Sequence, residues 1–335
     1  MNILLTSVGR RTYLINYFKS ALKNEGLIHA ANSSLTYSVT QADKYTLTPE
    51  IYSNEYISFL LEYCLSNKIS AIIPLFDIDL PILSKHKQQF LDADITLVVS
   101  DSSVINICND KWISYLFFKE NSLLTPKTHL TLEGVKQSLD NTTISFPLIL
   151  KPRWGMGSIG LYIAENLDEL NIFYQKLHRE IFKTYLKFES DQNIDECILI
   201  QEYINGVELG LEVINDLNGN YITTLSKEKL AMRAGETDSA ITIENEDVSS
   251  LGEKLSLSLK HIANLDVDVF ISDDKYYVLE MNARFGGQYP FSHLAGVDLP
   301  KQIVKWLKGD ETDMRLLIAK INSLGYKDIV PVLCN

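Results

Sequence analysis

Long hydrophobic runs are missing from this chain of 335 residues. No apolar stretch approaches the ~20 residues that a membrane-spanning helix needs, so a membrane partner is not expected. Cysteine is sparse: Cys64, Cys108, Cys197 and Cys334 stand far apart and form no metal-ligand pair, and the six histidines are equally dispersed. A zinc site is therefore not expected, and a reduced, cytoplasmic protein with buried thiols is. Positive charge is in deficit. Against 31 Lys and Arg stand 43 Asp and Glu, a net charge of −12, which argues against nucleic acid or an anionic membrane surface as the main partner. The first residues, through Gly9, form a short apolar strand without the longer apolar region of a secretion signal, and none follows Arg10-Arg11. Repeats and low-complexity segments are absent. What remains is an ordinary globular composition, 46% hydrophobic and 22% charged, long enough for two or three structural units.

Along residues 1–100, short apolar strands alternate with amphipathic segments, as in Ile3-Leu4-Leu5 followed by Leu14, Tyr17, Phe18, Ala21 and Leu22 at helical spacing. Such alternation predicts a doubly wound, mainly parallel α/β sheet, whose ligands sit outside the carboxyl ends of the strands. Two such ends carry polar groups: Ser7-Val8-Gly9-Arg10, and Asp77-Ile78-Asp79. Arg10, Asp77 and Asp79 either read the charges of a bound amino acid or, for the two aspartates, cap a helix. Residues 104–140 read as helix, with Asp110-Lys111-Trp112 early in it and Thr125-Pro126 opening an extended segment. Residues 147–212 read as strand, glycine loop, strand, helix, strand and hinge, and 211–282 as mostly antiparallel strands with a turn at Asn218-Gly219-Asn220.

The most informative segment is Val267-Asp268-Val269-Phe270 followed by Tyr276 to Arg284, two strands joined by a turn at Asp273-Asp274. Alternation puts Glu280 and Asn282 on one face, and hairpin pairing puts Asp268 beside them. Two carboxylates and a carboxamide oxygen suit Mg²⁺ and phosphate. Arg284, two residues on, suits a phosphate or a developing negative charge. Lys151 ends an apolar strand and precedes a loop containing Gly155, Gly157, Ser158 and Gly160. Glycines let backbone N–H groups face an anion and the lysine adds a point charge, although the same pattern also makes a plain hairpin loop. A third strand, Ile198 to Ile204, breaks at Asn205-Gly206, offering an unpaired backbone edge to a nucleobase, with Glu208 beyond the turn placed to accept from ribose hydroxyls.

In this order, Lys111, Lys151 with its glycine loop, Gln201-Glu202-Tyr203-Ile204 with Glu208, then Asp268, Glu280, Asn282 and Arg284 resemble the ATP-grasp superfamily over essentially the whole chain. The carbamoyl phosphate synthetase-like branch is the most similar. The resemblance implies a pre-ATP-grasp domain at residues 1–103 and a two-lobed ATP-grasp domain at 104–310. Within the latter, a lid lobe covers about 125–202 and a C-terminal lobe about 203–310, with an extension at 311–335. It implies that Lys111 and Lys151 contact the nucleotide and that Gly155, Gly157 and Ser158 fold over the phosphates. Gln201, Glu202 and Ile204 would form the adenine hinge and Glu208 would bind ribose, while Asp268, Glu280 and Asn282 would hold Mg²⁺ (or Mn²⁺). Arg284 would stabilise the transferred phosphoryl group. The stretch Met232 to Ser239 resembles a loop closing over the active site, with Arg233 a second phosphate contact. Gln288, Ser292 and His293 follow the metal strand and are candidates for substrate contact. The activity implied is formation of an acyl phosphate from ATP and a small-molecule carboxylate, an amino acid or sugar acid, then attack by an amine. A carbamoyl phosphate synthetase-type kinase and a non-catalytic nucleotide sensor are the alternatives. Homodimers are common among such proteins.

Overall fold

The structure is a computed structural model describing residues 1–155 and 160–333. The N-terminal unit comprises β1 (Asn2–Thr6), α1 (Thr12–Leu22), β2 (Ile28–Asn32), α2 (Tyr37–Thr40), β3 (Lys44–Leu47), α3 (Tyr56–Asn67), β4 (Ile69–Pro74), α4 (Asp79–Lys85), α5 (Lys87–Leu91) and β5 (Thr96–Leu97). All pairs in its sheet are parallel, in the order β3-β2-β1-β4-β5. The chain winds outward from β1 to β3 and returns to the other side at β4. The switch point therefore falls between β1 and β4, and their carboxyl ends carry Ser7–Arg10 and Asp77.

Residues 104–140, expected as helix, form three helices. Asp110 stops α6 (Ser102–Asn109) and caps α7 (Lys111–Glu120), its Oδ1 accepting from the Trp112 and Ile113 amides at 2.9 and 3.3 Å. After β6 (Thr128–His129), α8 spans Leu132–Asp140. β6 and α8, with β7 (Leu148–Pro152), β8 (Tyr162–Ala164), α9 (Leu167–Ile181), α10 (Lys187–Ser190) and β9 (Ile198–Glu202), build a lobe around the antiparallel sheet β6-β9-β7-β8, while α6 and α7 pack into the core described below for the other two units. The lobe's core, Leu148, Leu150, Leu170, Leu177, Ile198 and Ile200 among others, is its own.

The third unit is an antiparallel sheet in the order β14-β13-β10-β11-β12-β15. Its strands are β10 (Val207–Asn215), β11 (Tyr221–Arg233), β12 (Glu236–Ile243), β13 (Asn264–Ser272), β14 (Lys275–Asn282) and β15 (Leu324–Tyr326), with helices α11 (Glu246–Leu259), α12 (Tyr289–Leu294) and α13 (Leu299–Leu307). The stretch read as a closing loop, 232–239, is instead the tip of the β11–β12 hairpin, turning at Ala234 and Gly235 with φ of 49° and 77°. Residues 324–326 of the supposed extension supply the sheet's edge strand, paired to β12. The apolar face of this sheet shares cores with the N-terminal unit: Leu4, Leu60 and Ile72 cluster with Leu209, Val267 and Val278, and Phe18 with Phe285 and Tyr289. The N-terminal and C-terminal units are thus welded together, while the four-stranded lobe stands on a core of its own.

Candidate active site

The polar face of the six-stranded sheet is set by register. The turn residues Asp273 and Asp274 both take positive φ, the geometry of a tight hairpin. Asp268 then faces Glu280 and Asp266 faces Asn282. Gly210 and Glu212 continue the same face across β10. At Gly210 a Cβ would stand 1.5 Å from Gln288 Oε1, so the absent side chain leaves room for the buried Gln288 carboxamide.

Every strongly buried cation along this face is matched. Lys229, 4% exposed, reaches Asp268 at 2.5 Å and Glu208 at 2.7 Å. Burial would lower its pKa, but the two carboxylates reverse the effect and hold it above the ordinary lysine range. Lys227 and Glu212, both fully buried, pair at 2.8 Å, and Ser292 Oγ donates to the same glutamate. Arg284 lies between Asp77 of the N-terminal unit, at 2.8 and 3.0 Å, and Asp266, at 3.0 Å.

The four-stranded lobe presents a different cation. Lys151, on β7, has no salt-bridge partner among the described residues, and burial pushes its pKa down to about 8. Beside it Lys111, the first residue of α7, donates to the Gly155 carbonyl and lies 3.8 Å from Glu280. Burial alone would raise the Glu280 pKa. The fields of Lys111, Lys151, Lys229 and Arg284 outweigh it and hold the carboxyl below its ordinary value. The start of α7 is locked to this lobe by Arg153, which forks onto Asp110 at 2.8 to 3.0 Å, while the Lys111 amide donates to the Arg153 carbonyl at 3.2 Å. Gly157 and Ser158 lie outside the described residues.

At the hinge, Gln201 is buried and donates to Thr128 Oγ1 at 2.8 Å. Glu202 exchanges bonds with Lys127 through its amide and its carboxylate. Tyr203 and Ile204 follow outside the ladder, with backbone free of strand pairing. Glu208 is committed to Lys229.

Other expected residues are placed elsewhere or already engaged. Arg10 is exposed on the turn after β1. Asp77 meets Arg284 instead of open space, and Asp79 accepts from Thr6, Ser7 and Tyr56 hydroxyls at 2.7 to 3.2 Å. Arg233, 46% exposed, pairs with Asp238 at the hairpin tip. Gln288 is buried and donates to Asp266 and to the Leu211 carbonyl. Ser292 is sealed against Glu212, and His293 stacks on Tyr17 at 3.5 Å. The sequence reading overlooked Lys229 and Asp266. A signal existed for both: Lys227/Lys229 and Asp266/Asp268 are i, i+2 pairs in strands and so share the polar face.

Among the described residues, no group of three His, Cys, Asp or Glu side chains converges to hold a metal ion. A Mg²⁺ held by one or two protein oxygens and completed by phosphate and water needs no such group. Glu280 and Asn282, adjacent on one face and with Glu280 kept ionised, fit that demand, whereas Asp268 is turned to Lys229.

A family model described as the PylC-like N-terminal domain matches residues 3–98, and one for the ATP-grasp domain matches residues 108–288. The chain belongs to the ATP-grasp family. It is 23% identical over 269 residues to a carbamoyl-phosphate synthase of Methanobrevibacter smithii, covering 74% of this chain and 66% of that protein. It is 26% identical over 240 residues to the carbamoyl phosphate synthase large chain of Helicobacter pylori, covering 67% and 21%. The chain thus spans between about a fifth and two thirds of the length of these curated relatives. Among solved structures, an L-amino acid ligase from Bacillus licheniformis superposes with a TM-score of 0.74 at 17% identity, over 99% of this chain and 81% of that one. The biotin carboxylase domain of a Hydrogenobacter thermophilus 2-oxoglutarate carboxylase, complexed with MgADP, ADP and bicarbonate, also gives 0.74 at 17%, over 93% and 70%. These likenesses establish the fold.

Proposed function

We propose that the chain is an ATP-dependent, ADP-forming carboxylate–amine ligase acting on small molecules. The observation that carries this reading is Lys151: a half-buried lysine with no carboxylate partner among the described residues, lying with Lys111 in the field of a glutamate held ionised beside an asparagine. A half-buried cation without a carboxylate beside it is a ready place for an anion, and a polyphosphate supplies that charge. ATP would lie between the four-stranded lobe and the six-stranded sheet, adenine at the Glu202–Ile204 backbone and ribose toward Glu208, which would exchange its bond to Lys229 for the ribose hydroxyls. Gly155, Gly157 and Ser158 would cover the phosphates.

Phosphoryl transfer asks for positioning and charge neutralisation, not a covalent nucleophile. A carboxylate oxygen of the substrate attacks the γ-phosphorus, the bond to the β–γ bridging oxygen breaks, and ADP leaves with the electron pair. Lys111 and Lys151 offset charge on the phosphates. Arg284, held between Asp77 and Asp266, would stabilise the transferred group or the acyl phosphate by giving up part of that pairing. Mg²⁺, when bound by Glu280 and Asn282, would neutralise and orient the phosphates. The amine then attacks the acyl carbon, phosphate leaves with the electrons of the broken C–O bond, and the amine loses a proton. The lobe carrying Lys151, with its separate core, would close to exclude water. Arg233 would join only by leaving Asp238. A cytoplasmic setting agrees with the reduced, buried Cys64, Cys108 and Cys197.

ADP release from Mg-ATP across pools of carboxylates and amines, beside Glu280→Gln, tests this reading. Amine-dependent release that the variant loses supports it, and a protein that does not bind Mg-ATP refutes it. The carbamoyl-phosphate synthase relatives favour one second reading, a carboxylate or carbamate kinase. It predicts ADP release that depends on the carboxylate or bicarbonate alone.

A further inference from the structure

Asp77 lies just beyond β4, at the carboxyl end of the N-terminal sheet, and is buried. It does not serve the helix that follows, because α4 begins without a side-chain cap. Its neighbour Asp79 is engaged with the Thr6, Ser7 and Tyr56 hydroxyls. Among the described residues, the Asp77 carboxylate has a single hydrogen-bond partner, Arg284 of the C-terminal unit. Joining the two units does not call for this pair, since two shared apolar cores already do that.

Arg284 is held at its two ends by different units. Its amide donates to the Asn282 carbonyl at 2.8 Å and its carbonyl accepts from Asn264 at 3.0 Å, so its backbone is fixed to the strands of the metal face. Two carboxylates steer its guanidinium. Asp77 accepts from Nε at 3.0 Å and Nη2 at 2.8 Å, and Asp266 accepts from Nη1 at 3.0 Å. These carboxylates are not equivalent. Asp266 has a second donor in Gln288 and stays partnered if Nη1 turns away, whereas Asp77 depends on Arg284 alone. The Nη1 end is thus the one free to leave for an arriving phosphoryl oxygen, while the Nε edge stays on Asp77 as a pivot. We propose that Asp77 is a positioning residue for the phosphoryl-transfer step. The N-terminal unit, through this one carboxylate, sets the angle of Arg284, and with it the rate of transfer and not the binding of nucleotide.

This inference rests on the ligase reading, and the experiment separates the two. With a substrate pool that stimulates the wild type, ADP formation in a single turnover is timed for wild type, Asp77→Ala and Asp77→Asn. Each is measured alone and in an Arg284→Gln background, below its own melting midpoint, with Mg-ATP binding titrated alongside. Asp77→Ala should slow ADP formation by about 100-fold, the loss that a misplacement of about 1 Å brings, with Mg-ATP affinity unchanged. Asp77→Asn keeps an acceptor oxygen without the charge and should recover part of this, losing about 10-fold; it carries the test if Asp77→Ala does not fold. A residue that acts only through Arg284 has nothing left to do once Arg284 is replaced. In the Arg284→Gln background neither change should slow the reaction further, whereas a general structural role would repeat its loss there. Wild-type rates in the Asp77 variants, a defect confined to weaker Mg-ATP binding, or a loss repeated in full on Arg284→Gln would overturn the inference. A wild type that does not bind Mg-ATP, or whose ADP formation no pool stimulates, removes the ligase reading first, and this inference with it.

Discussion

The six-stranded sheet and the four-stranded lobe hold their cations under opposite conditions. On the six-stranded sheet Lys227, Lys229 and Arg284 each meet at least one carboxylate within 3.0 Å. On the four-stranded lobe Lys151 meets none among the described residues. Paired cations fix the frame, and an unpaired one is a place for an anion to arrive. The sides also differ mechanically. The sheet shares two cores with the N-terminal unit, while the lobe carrying Lys151 has a separate core and can move without tearing the others. The charge left open therefore sits on the part best able to close.

The comparison breaks most visibly in stability. Glu212→Gln should cost about 3–5 kcal/mol, because it strands Lys227 in a fully buried site, and denaturant unfolding will read this as a lower midpoint. A replacement that leaves the midpoint unmoved would mean that the pair does not frame the sheet. Lys151→Met should do the reverse. Unfolding stability is expected to hold or rise, since a partly desolvated charge without a carboxylate partner among the described residues is removed, while Mg-ATP affinity falls by about 100-fold, the loss expected of two to three kcal/mol of charged hydrogen bonds.

Next in size is a pH effect. Lys151 titrates near 8 in the folded protein, against an ordinary 10.5. Between these values the unfolded chain binds more protons than the folded one, so this residue's contribution makes stability increase as pH rises from about 8 to 10.5 and levels off beyond. Nucleotide affinity should move the other way. Above pH 8 the free protein must take up a proton to bind, and affinity should fall by up to about tenfold per pH unit in proportion to the neutral fraction. Titrations from pH 7 to 9.5 will show this slope in the wild type, and Lys151→Arg should flatten it.

The smallest effect belongs to Arg233. It is exposed and paired only at the hairpin tip, so Arg233→Ala should shift stability by less than about 1 kcal/mol. A rate loss beyond about tenfold would instead make it a phosphate contact that leaves Asp238 during turnover.

Local pattern made much of this visible in advance. Strand–helix alternation indicated the parallel sheet, and the two polar strand ends it singled out fall at the switch point. Alternation and the Asp273-Asp274 turn were enough to place Glu280, Asn282 and Asp268 on one face. Other features left no local trace. Asp77 and Arg284 are 207 positions apart, and Ser292 and Glu212 are 80 apart, so nothing near either residue signals its partner. Asp110 was legible as part of a motif but not as a helix boundary, because the helical periodicity continues on both sides of it. Strand β3 is a largely exposed edge, Lys44–Leu47, and its four residues are too few for their alternation to stand out.

Calorimetric titration of Mg-ATP into the wild type and Lys151→Met at pH 8.5, in two buffers of different ionisation enthalpy, tests the central claim most directly. The account predicts proton uptake on binding to the wild type, and affinity about 100-fold weaker with no such uptake in the variant. Equal affinity in the two proteins, with no proton taken up by either, would contradict it.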